Sequence, residues 1–273
     1  MQKFLPCAIV NDNAMRTKTE RQAKNVGAYE IVINIKLEDP FLHTSYRRAF
    51  TSFIKGLLNN YDKNMYNLLY GKRNLVENPF KPISFYVYFP ELQPNKNSLE
   101  HILTGNKAEL RIRTYNPQVF YSIYMSAKNF MKDQLVYPIY NNKAYIEDVN
   151  FEMLYPIKNN IALFKTLAPI VLEKRYNDDE KCITPQDEDF VETFLHYVNV
   201  CAEHTIGVRN VDKYVAFQII DYKIVKIRHY DKLLHALKCQ FVMQAPNQVL
   251  NAIYFAGLGA KRSQGFGILK PIG

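Results

Sequence analysis

Apolar and polar residues alternate along the first clear element of the chain. From Tyr29 to Leu37, within AYEIVINIKL, every second residue is apolar, which is the period of a half-buried β-strand. The next segment, TSYRRAFTSFIKGLLNNY, carries its apolar residues three and four positions apart, as one face of an α-helix requires. Thr44 or Ser45 is the expected N-cap, because a side-chain oxygen there accepts a hydrogen bond from an amide of the first turn.

The rest of the first half predicts three further strands and one helix. The strand patterns are ISFYVYF, KAELRIRTY and KAYIEDVNFEML. The helix is NPQVFYSIYMSAKNFMK, capped by Asn116 with Pro117 at its first position, where the missing proline amide has no helical partner to lose. The order is therefore strand, helix, strand, strand, helix, strand. A ferredoxin-like domain has this order, with two helices on one face of a four-stranded antiparallel sheet.

The second half predicts the same order of elements, without any repeat at the level of residues. Its strands are NNIALFKTLAPIVLEKRY, YVAFQIIDYKIVKIRHY, ALKCQFVMQA and FGILKPI, and its helices are ITPQDEDFVETFLHYVNVCAEH and PNQVLNAIYFAGLG. We therefore predict an α+β fold of two tandem ferredoxin-like (RRM-like) βαββαβ domains, residues 28–157 and 158–273. The boundary is expected near Pro156 to Asn160, and residues 1–27 have no assignable pattern.

Composition narrows the class of partner. With 273 residues, of which 48% are apolar, the chain can bury one large core or two ordinary ones, which excludes global disorder. A balance of 35 Lys and Arg against 26 Asp and Glu gives a net charge of +9, which favours polyanionic partners. Twenty Tyr and seventeen Phe add rings on which unpaired bases stack, although aromatic residues also fill strands and cores.

Several other classes of site have no support in the sequence. The four cysteines lie far apart in the sequence and form no C-x-x-C pair, which argues against a structural zinc site and does not suggest a disulfide framework: Cys7, Cys182, Cys201 and Cys239. The acidic runs NDDEK and PQDEDF fit a turn and a helix start, where solvation and the helix dipole account for them. We expect no metal and no cofactor. No run approaches the roughly 18 apolar residues that cross a bilayer, so we expect a cytoplasmic protein with no membrane partner.

Glycines cluster in GLGAKRSQGFGIL, at Gly257, Gly259, Gly265 and Gly267, around the polar centre Lys261, Arg262 and Ser263. This spacing fits neither the P-loop nor the dinucleotide-binding fingerprint, and the segment that follows predicts a strand where both motifs need a helix. What remains is a connection from helix to strand, in which glycine permits positive φ and close backbone approach. Its amides and cations could hold a sugar-phosphate backbone, or it is a turn with a solvated basic tip.

The GLGAKRSQGFGIL segment resembles the C-terminal glycine-rich signature of Cas6, the CRISPR-associated endoribonuclease family that matures CRISPR RNA. Two further segments are similar to this family: FKTLAPIVLEKR resembles the segment that opens its second domain, and NPFKPISFYVYF resembles an aromatic-rich strand of its first. Cas5 and Cas7 belong to the same superfamily of repeat-associated RNA-binding proteins. The resemblance implies a CRISPR repeat RNA as partner and an association with a CRISPR effector complex.

The resemblance also implies a reaction. The 2′-hydroxyl of one nucleotide attacks the adjacent phosphate without a metal ion, leaving a 2′,3′-cyclic phosphate and a 5′-hydroxyl. This chemistry needs a base near the 2′-hydroxyl, an acid near the leaving 5′-oxygen and a cation for the charge on the phosphorane. Histidine suits either proton role, because its unperturbed pKa is about 6.5.

His43 is the first catalytic candidate. It stands immediately before the helix that begins TSYRRAF, with Arg47 and Arg48 one turn on, and many Cas6 proteins place a catalytic histidine at or near this helix start. We therefore predict a catalytic role for His43 and RNA binding by the two arginines; the alternative is a helix-start histidine without a catalytic part. The other histidines show no comparable pattern: His101, His196, His204, His229 and His235.

A second arrangement follows from other members of the family, which carry their histidine after the first helix. Matching this chain to them puts Lys55 at a helix position, Tyr70 at or near the histidine position and Lys81 at the lysine position that opens the next strand. No histidine stands there, so Tyr70 and Lys81, with Lys72 and Arg73, would supply positioning and charge. Three hypotheses remain: cleavage by the helix-start histidine, cleavage by this second set, or RNA binding without cleavage, as in a Cas5-like or Cas7-like subunit.

Overall fold

The computed structural model describes residues 27–71, 80–93, 101–176, 179–230 and 232–272. The first half of this described chain contains the strands β1 (Ala28–Leu37), β2 (Phe41–His43), β3 (Ser84–Tyr88), β4 (His101–Leu103), β5 (Lys107–Thr114), β6 (Val136–Ile139) and β7 (Asn142–Leu154). Its helices are α1 (Tyr46–Tyr61), α2 (Lys63–Tyr70) and α3 (Pro117–Lys132).

The second half contains the remaining elements. Its strands are β8 (Ile161–Thr166), β9 (Glu173–Tyr176), β10 (Asp179–Cys182), β11 (Ala216–His229), β12 (Lys232–Gln244) and β13 (Leu269–Ile272). Its helices are α4 (Phe190–Ile206) and α5 (Asn247–Ala256), with short 3₁₀ turns at Val211–Tyr214 and Arg262–Gln264. No helix in the described ranges is long and apolar enough to cross a membrane.

Each half has an antiparallel sheet with one apolar face. The strand order is β3-β5-β1-β7-β6 in the first sheet and β11-β12-β8-β13 in the second. In the first sheet Ile33 lies between Leu110 and Val149 on its neighbouring strands, and all three side chains are fully buried. Phe50 and Phe53 of α1 pack on this face, because residues three apart share one side of a helix.

The prediction of a mixed α+β fold with antiparallel sheets is confirmed. Asn116 caps α3 by accepting hydrogen bonds from the amides of Gln118 and Val119, as predicted. Ser45 is the N-cap residue of α1, but its side chain makes no capping hydrogen bond. The sequence did not predict α2, the β2–β4 pair or the β9–β10 hairpin, because none of these segments stood out by a clear helix or strand period.

A buried arginine joins the two halves. Arg113 of β5 is 2% exposed and binds the Glu30 carboxylate through Nε and Nη2, at 3.1 and 2.7 Å. Its Nη1 donates to the carbonyl oxygens of Tyr254 and Leu269 in the second half, both at 2.8 Å. A guanidinium is suited to this position because its fixed donors satisfy a carboxylate and two carbonyls at once. The division at residue 157 stays a prediction.

Candidate functional site

The start of α1 contacts the glycine-rich loop, residues 257–267. Arg47 Nε donates a hydrogen bond to the carbonyl oxygen of Gly265 at 3.1 Å. Its guanidinium also lies over two rings, 4.7 Å from the centre of Tyr46 and 5.1 Å from that of Phe266. Two groups that the sequence analysis singled out separately, the helix-start arginine and the loop, therefore belong to one surface region.

His43 is the last residue of β2, and its ring is oriented by the backbone. The amide of Ser45 donates to His43 Nδ1 at 3.0 Å, so the neutral ring carries its proton on Nε2. The ring centre lies 4.9 Å from that of Tyr140. Residues 41–43 and 139–142 line a cavity of ≈ 80 Å³ at this position. In its neutral form His43 is thus prepared as a hydrogen-bond donor through Nε2.

Two tyrosines from hairpin turns complete this region. Tyr140 donates through its hydroxyl to the carbonyl oxygen of Ser45 at 3.0 Å. Burial raises the pKa of this hydroxyl, with Arg48 opposing the shift, so it remains a donor at neutral pH. Tyr230 lies under the Arg48 guanidinium, 4.9 Å from ring centre to Cζ. Arg48 itself is exposed.

A buried histidine, His229, packs against the inner side of the glycine-rich loop. His229 is 4% exposed, and its Nε2 lies 2.7 Å from Gln264 Oε1. Its ring packs edge-on against Phe266, with 5.3 Å between the centres. Burial is the main cause that lowers the pKa of His229, with contributions from the positive charges of Lys261 and Arg47, while the bond to Gln264 acts in the opposite direction. His229 is therefore a neutral packing residue here.

Glycine is required where the loop approaches its neighbours most closely. At Gly265, with φ +90°, a Cβ would lie 3.0 Å from the Phe85 ring and 3.1 Å from Arg47 Cγ. At Gly259, with φ +94°, it would lie 2.5 Å from the carbonyl oxygen of Val171. At both positions the positive φ disfavours any residue other than glycine, and there is no room for a Cβ atom. The glycines thus let the loop pack against the protein itself.

The loop backbone is bonded largely within the protein. Leu258 N donates to Gly267 O, Gly267 N to Pro169 O and Ala260 N to Val171 O, each at 2.8 Å. These amides stabilise the loop and are not free to bind a phosphate. Ser263 is half-buried in the 3₁₀ turn of the loop. The arrangement differs from a nest of open amides, which the glycine spacing alone would also permit.

Both basic residues at the loop centre have partners in the protein. Arg262 is 8% exposed; its Nη1 donates to Ala256 O at 2.9 Å, and its guanidinium lies 3.5 Å from the ring centre of Phe80. Burial lowers the pKa of Arg262. Lys261 Nζ forms an ion pair with Glu173 at 2.6 Å. The loop therefore does not present a solvated basic tip. The Arg262 side chain points into the protein, and the charge of Lys261 is neutralised by Glu173.

Lys55, Tyr70 and Lys81, the second set of predicted catalytic residues, lie close together in the structure. Lys55 Nζ lies 5.1 Å from the ring centre of Tyr70, and Lys81 Nζ lies 4.2 Å from it. Burial, and then the charge of Lys55, lower the pKa of Lys81, which favours it as a proton donor. Burial raises the pKa of Tyr70, and its hydroxyl has no hydrogen-bond partner among the described residues. Lys72 and Arg73 lie outside the described residues.

Sequence reasoning missed several members of the helix-start region, among them Tyr140, Tyr230, His229 and Gln264. Tyr140 and Tyr230 lie in turns between strands, where no hydrophobic period marks a residue as special. His229 carries no motif, and its partner Gln264 is 35 positions away. In the part of the chain that the structure describes, no group of three His, Cys, Asp or Glu side chains could hold a metal ion.

Comparison with known proteins supports one family. Residues 145–271 match the sequence profile described as "CRISPR associated protein Cas6, C-terminal". A Cas6-related protein from Pyrococcus furiosus is similar in structure, at TM-score 0.74 and 20% identity over 90% of this chain and 99% of that one. A second similar structure, described as a RAMP protein that binds different RNA substrates, has TM-score 0.74 and 16% identity over 90% and 100% of the two chains.

A Thermus thermophilus Cas6 in a product complex is also similar, at TM-score 0.63 and 12% identity over 90% of this chain and all of that one. At these identities the structural matches show a shared fold. No curated protein matches the chain by sequence. The profile match covers the glycine-rich loop and both hairpins that carry strands β9 to β12.

Proposed function

We propose that the chain is a Cas6-family endoribonuclease that binds the repeat of precursor CRISPR RNA and cuts it. The match of residues 145–271 to the Cas6 C-terminal profile supports this proposal, and so does the fold shared with Cas6 structures. The 2′-hydroxyl attacks the adjacent phosphate, the bond to the 5′-oxygen breaks, and a 2′,3′-cyclic phosphate and a 5′-hydroxyl remain. The proposal includes cleavage without a metal ion. Its partner is the repeat RNA.

One observation carries the proposal: the contact between Arg47 of the first half and Gly265 of the glycine-rich loop, 3.1 Å from Nε to oxygen. It unites a histidine, two arginines and the family's signature loop in one region. No carboxylate forms an ion pair with Arg47 or Arg48 within the described residues. Their charges therefore remain available to attract a phosphate, which is the cation requirement of the reaction.

The hydrogen bond at His43 bears on its role. Since Nδ1 accepts the Ser45 amide, the neutral ring can donate a hydrogen bond through Nε2 to a phosphate oxygen. Accepting the proton of the 2′-hydroxyl at Nδ1 would require the Ser45 amide to move away. We therefore assign His43 to a hydrogen bond from Nε2 to a non-bridging oxygen of the phosphate, with Arg47 and Arg48 stabilising the added charge. The proton of the 2′-hydroxyl then passes through solvent to the leaving 5′-oxygen.

The set of Lys55, Tyr70 and Lys81 supports the alternatives. Its lysines flank one ring, so a second positive site lies farther along α1. Cleavage there would depend on Lys81 as the donor, since no imidazole lies in this set. If neither set cuts, the protein is a non-catalytic RNA-binding subunit, and the charges of both sets serve binding alone. Lys72 and Arg73 stay candidates for RNA contact under every alternative.

The packing of the glycine-rich loop reduces the number of its residues that are expected to contact RNA. Lys261 and Ser263 retain partial exposure and stay candidates for contact. For Arg262 and for the glycines of the loop, Gly257, Gly259, Gly265 and Gly267, RNA binding stays a prediction, while their burial favours a role in holding the loop against α1. The proposal includes the interpretation of both halves as tandem ferredoxin-like domains, which the matching strand orders of the two sheets support.

The test incubates end-labelled repeat RNA from the source organism with the protein in EDTA. A matched RNA carries a 2′-deoxy sugar at the cut nucleotide. We expect cleavage of the first RNA, with a cyclic phosphate at the product end, and none of the second. Cleavage that needs added metal, or that persists on the 2′-deoxy RNA, would contradict the mechanism. Tight binding without any cleavage would favour the non-catalytic subunit.

A further inference from the structure

Two tyrosines on hairpins from different halves of the chain stand beside the start of α1. Tyr140 lies in the turn between β6 and β7, and Tyr230 in the turn between β11 and β12. Each residue is 45% exposed, so part of each ring faces solvent. We refer to Tyr140 and Tyr230 as the tyrosine pair.

The backbone at both tyrosines is left-handed, with φ +51° at Tyr140 and +53° at Tyr230. For a residue with a Cβ this conformation costs about 1 kcal/mol or more, whereas glycine or asparagine adopts it more readily. Turn geometry alone therefore does not account for a tyrosine at either position. Backbone strain of this kind is frequent where a side chain is held for function.

The surroundings of the tyrosine pair combine rings with positive charge. The Arg48 guanidinium lies 4.9 Å from the ring centre of Tyr230. The Tyr140 ring lies 4.9 Å from that of His43 and is fixed by its hydrogen bond to Ser45 O. Aromatic faces beside an arginine are the chemistry that holds an unpaired nucleotide, because the ring stacks on the base and the cation attracts the phosphate.

We infer that the tyrosine pair and Arg48 form a binding site for an unpaired nucleotide next to the phosphate that is cut. One or both rings stack on the base, and Arg48 contacts the phosphate of the same nucleotide. The inference rests on the proposed function, because His43 defines where the cut phosphate lies. It adds that this nucleotide is unpaired, since a base inside a duplex is covered on both faces by its neighbours and has no face left for a protein ring.

The experiment uses the full chain and the repeat RNA with a 2′-deoxy sugar at the cut nucleotide, in which a single abasic site is moved along the sequence. We expect Tyr140→Ala and Tyr230→Ala each to weaken binding of the intact RNA by about tenfold, the size of one lost stacking contact. Tyr140→Phe and Tyr230→Phe keep the ring and should retain most of the affinity. With the abasic site beside the cut, wild type and the alanine variants should bind alike.

A second readout does not depend on affinity. The chain contains no tryptophan, so Tyr230→Trp introduces a single tryptophan that can be excited apart from the tyrosines, and a stacked base should quench its emission. Intact RNA should quench it, and RNA with the abasic site beside the cut should not. Tyr121→Ala is the matched control, because Tyr121 is 65% exposed on α3, and it should leave binding unchanged.

The outcomes separate the two proposals. If wild-type protein fails to bind the repeat RNA, both the proposed function and this inference fall. If wild type binds but the alanine variants bind equally well, the inference falls and the proposed function stands. The inference also falls if the loss in the alanine variants is the same for every position of the abasic site, since the tyrosines would then act on the protein and not on a base.

Discussion

Arg47 and Gly265 are separated by 218 positions in the chain, yet Arg47 Nε donates to the Gly265 carbonyl oxygen at 3.1 Å. The side chain of Arg47 fills the space that a Cβ on residue 265 would need. The presence of glycine at this position and the placement of the arginine therefore depend on each other. This contact links the stability of the loop to the geometry of the helix-start region.

Gly265→Ala should destabilise the protein and weaken RNA binding. The positive φ costs about 1 kcal/mol, and the overlap with Phe85 and Arg47 adds about 2 kcal/mol. The control is Gly207→Ala, because Gly207 also has a positive φ, +72°, but no atom lies within 4 Å of its Cβ position. Urea denaturation of both variants measures the difference. Equal losses of stability would show that the loop does not pack tightly against α1.

His43→Ala should slow cleavage far more than it weakens binding. Removing one hydrogen-bond donor to the charge that develops on the phosphate costs about 10² to 10³ in rate, so single-turnover cleavage should fall by at least about 10²-fold, while affinity for RNA stays similar. His196→Ala is the control, since His196 is exposed on α4. An unchanged rate in His43→Ala would move the catalytic site towards Tyr70 and Lys81, and Lys81→Ala would then be measured in the same assay.

Arg48→Ala and Arg262→Ala should differ in how strongly their affinity for RNA depends on salt concentration. Arg48 is exposed, and losing one phosphate contact should reduce the slope of log affinity against log salt by about 0.7 for a single strand. Arg262 is buried and bonded to Ala256 O, so Arg262→Ala should lower the melting temperature and leave the slope unchanged. A flattened slope in Arg262→Ala would instead support RNA contact by this residue.

Arg113→Met should uncouple the two halves. It removes the buried partner of Glu30 and the donors to Tyr254 O and Leu269 O, and the loss of such a buried pair costs about 3 kcal/mol. Arg111→Met is the control: Arg111 also binds Glu30, but its ion-pair partners all lie in the first half. Calorimetry should show a larger loss of stability, or two transitions, for Arg113→Met. Equal effects would exclude a special role at the junction.

Because His229 is buried, we predict that the folded protein loses stability at acid pH. Its pKa in the folded protein is lowered, mainly by burial, so below the unfolded value of about 6.5 the unfolded chain binds more protons than the folded one. Stability from this residue is complete above about pH 6.5 and decreases as the pH falls towards the folded pKa. Urea midpoints at pH 7.5 and pH 5.5 measure the effect. His229→Gln should reduce the difference between them; an unchanged difference would assign it to other groups.

The sequence predicted the regular elements well, because long helices and strands repeat their burial pattern. The periods of β1, α1 and α3 are visible in apolar spacing alone, and so is the Asn116 cap with Pro117 after it. The glycine spacing also marked the loop and its family. The short strands β2 and β4 were not predictable, because they pair with each other across a long stretch of the chain, as Phe41 does with Leu103.

The sequence by itself thus determined the mixed α+β class of the fold and the residue types available for RNA chemistry, since both depend on local pattern and spacing, and its glycine-rich segment carried the resemblance to the Cas6 family. Only the tertiary structure decided which of these residues meet. Strand pairing brings His43, Arg48, Tyr140 and Tyr230 to one region, and the packing of the loop turns Arg262 inward while leaving Arg48 exposed. A local pattern states that a side chain is charged, but whether the charge faces a ligand or the protein interior is set by contacts between residues far apart in the chain.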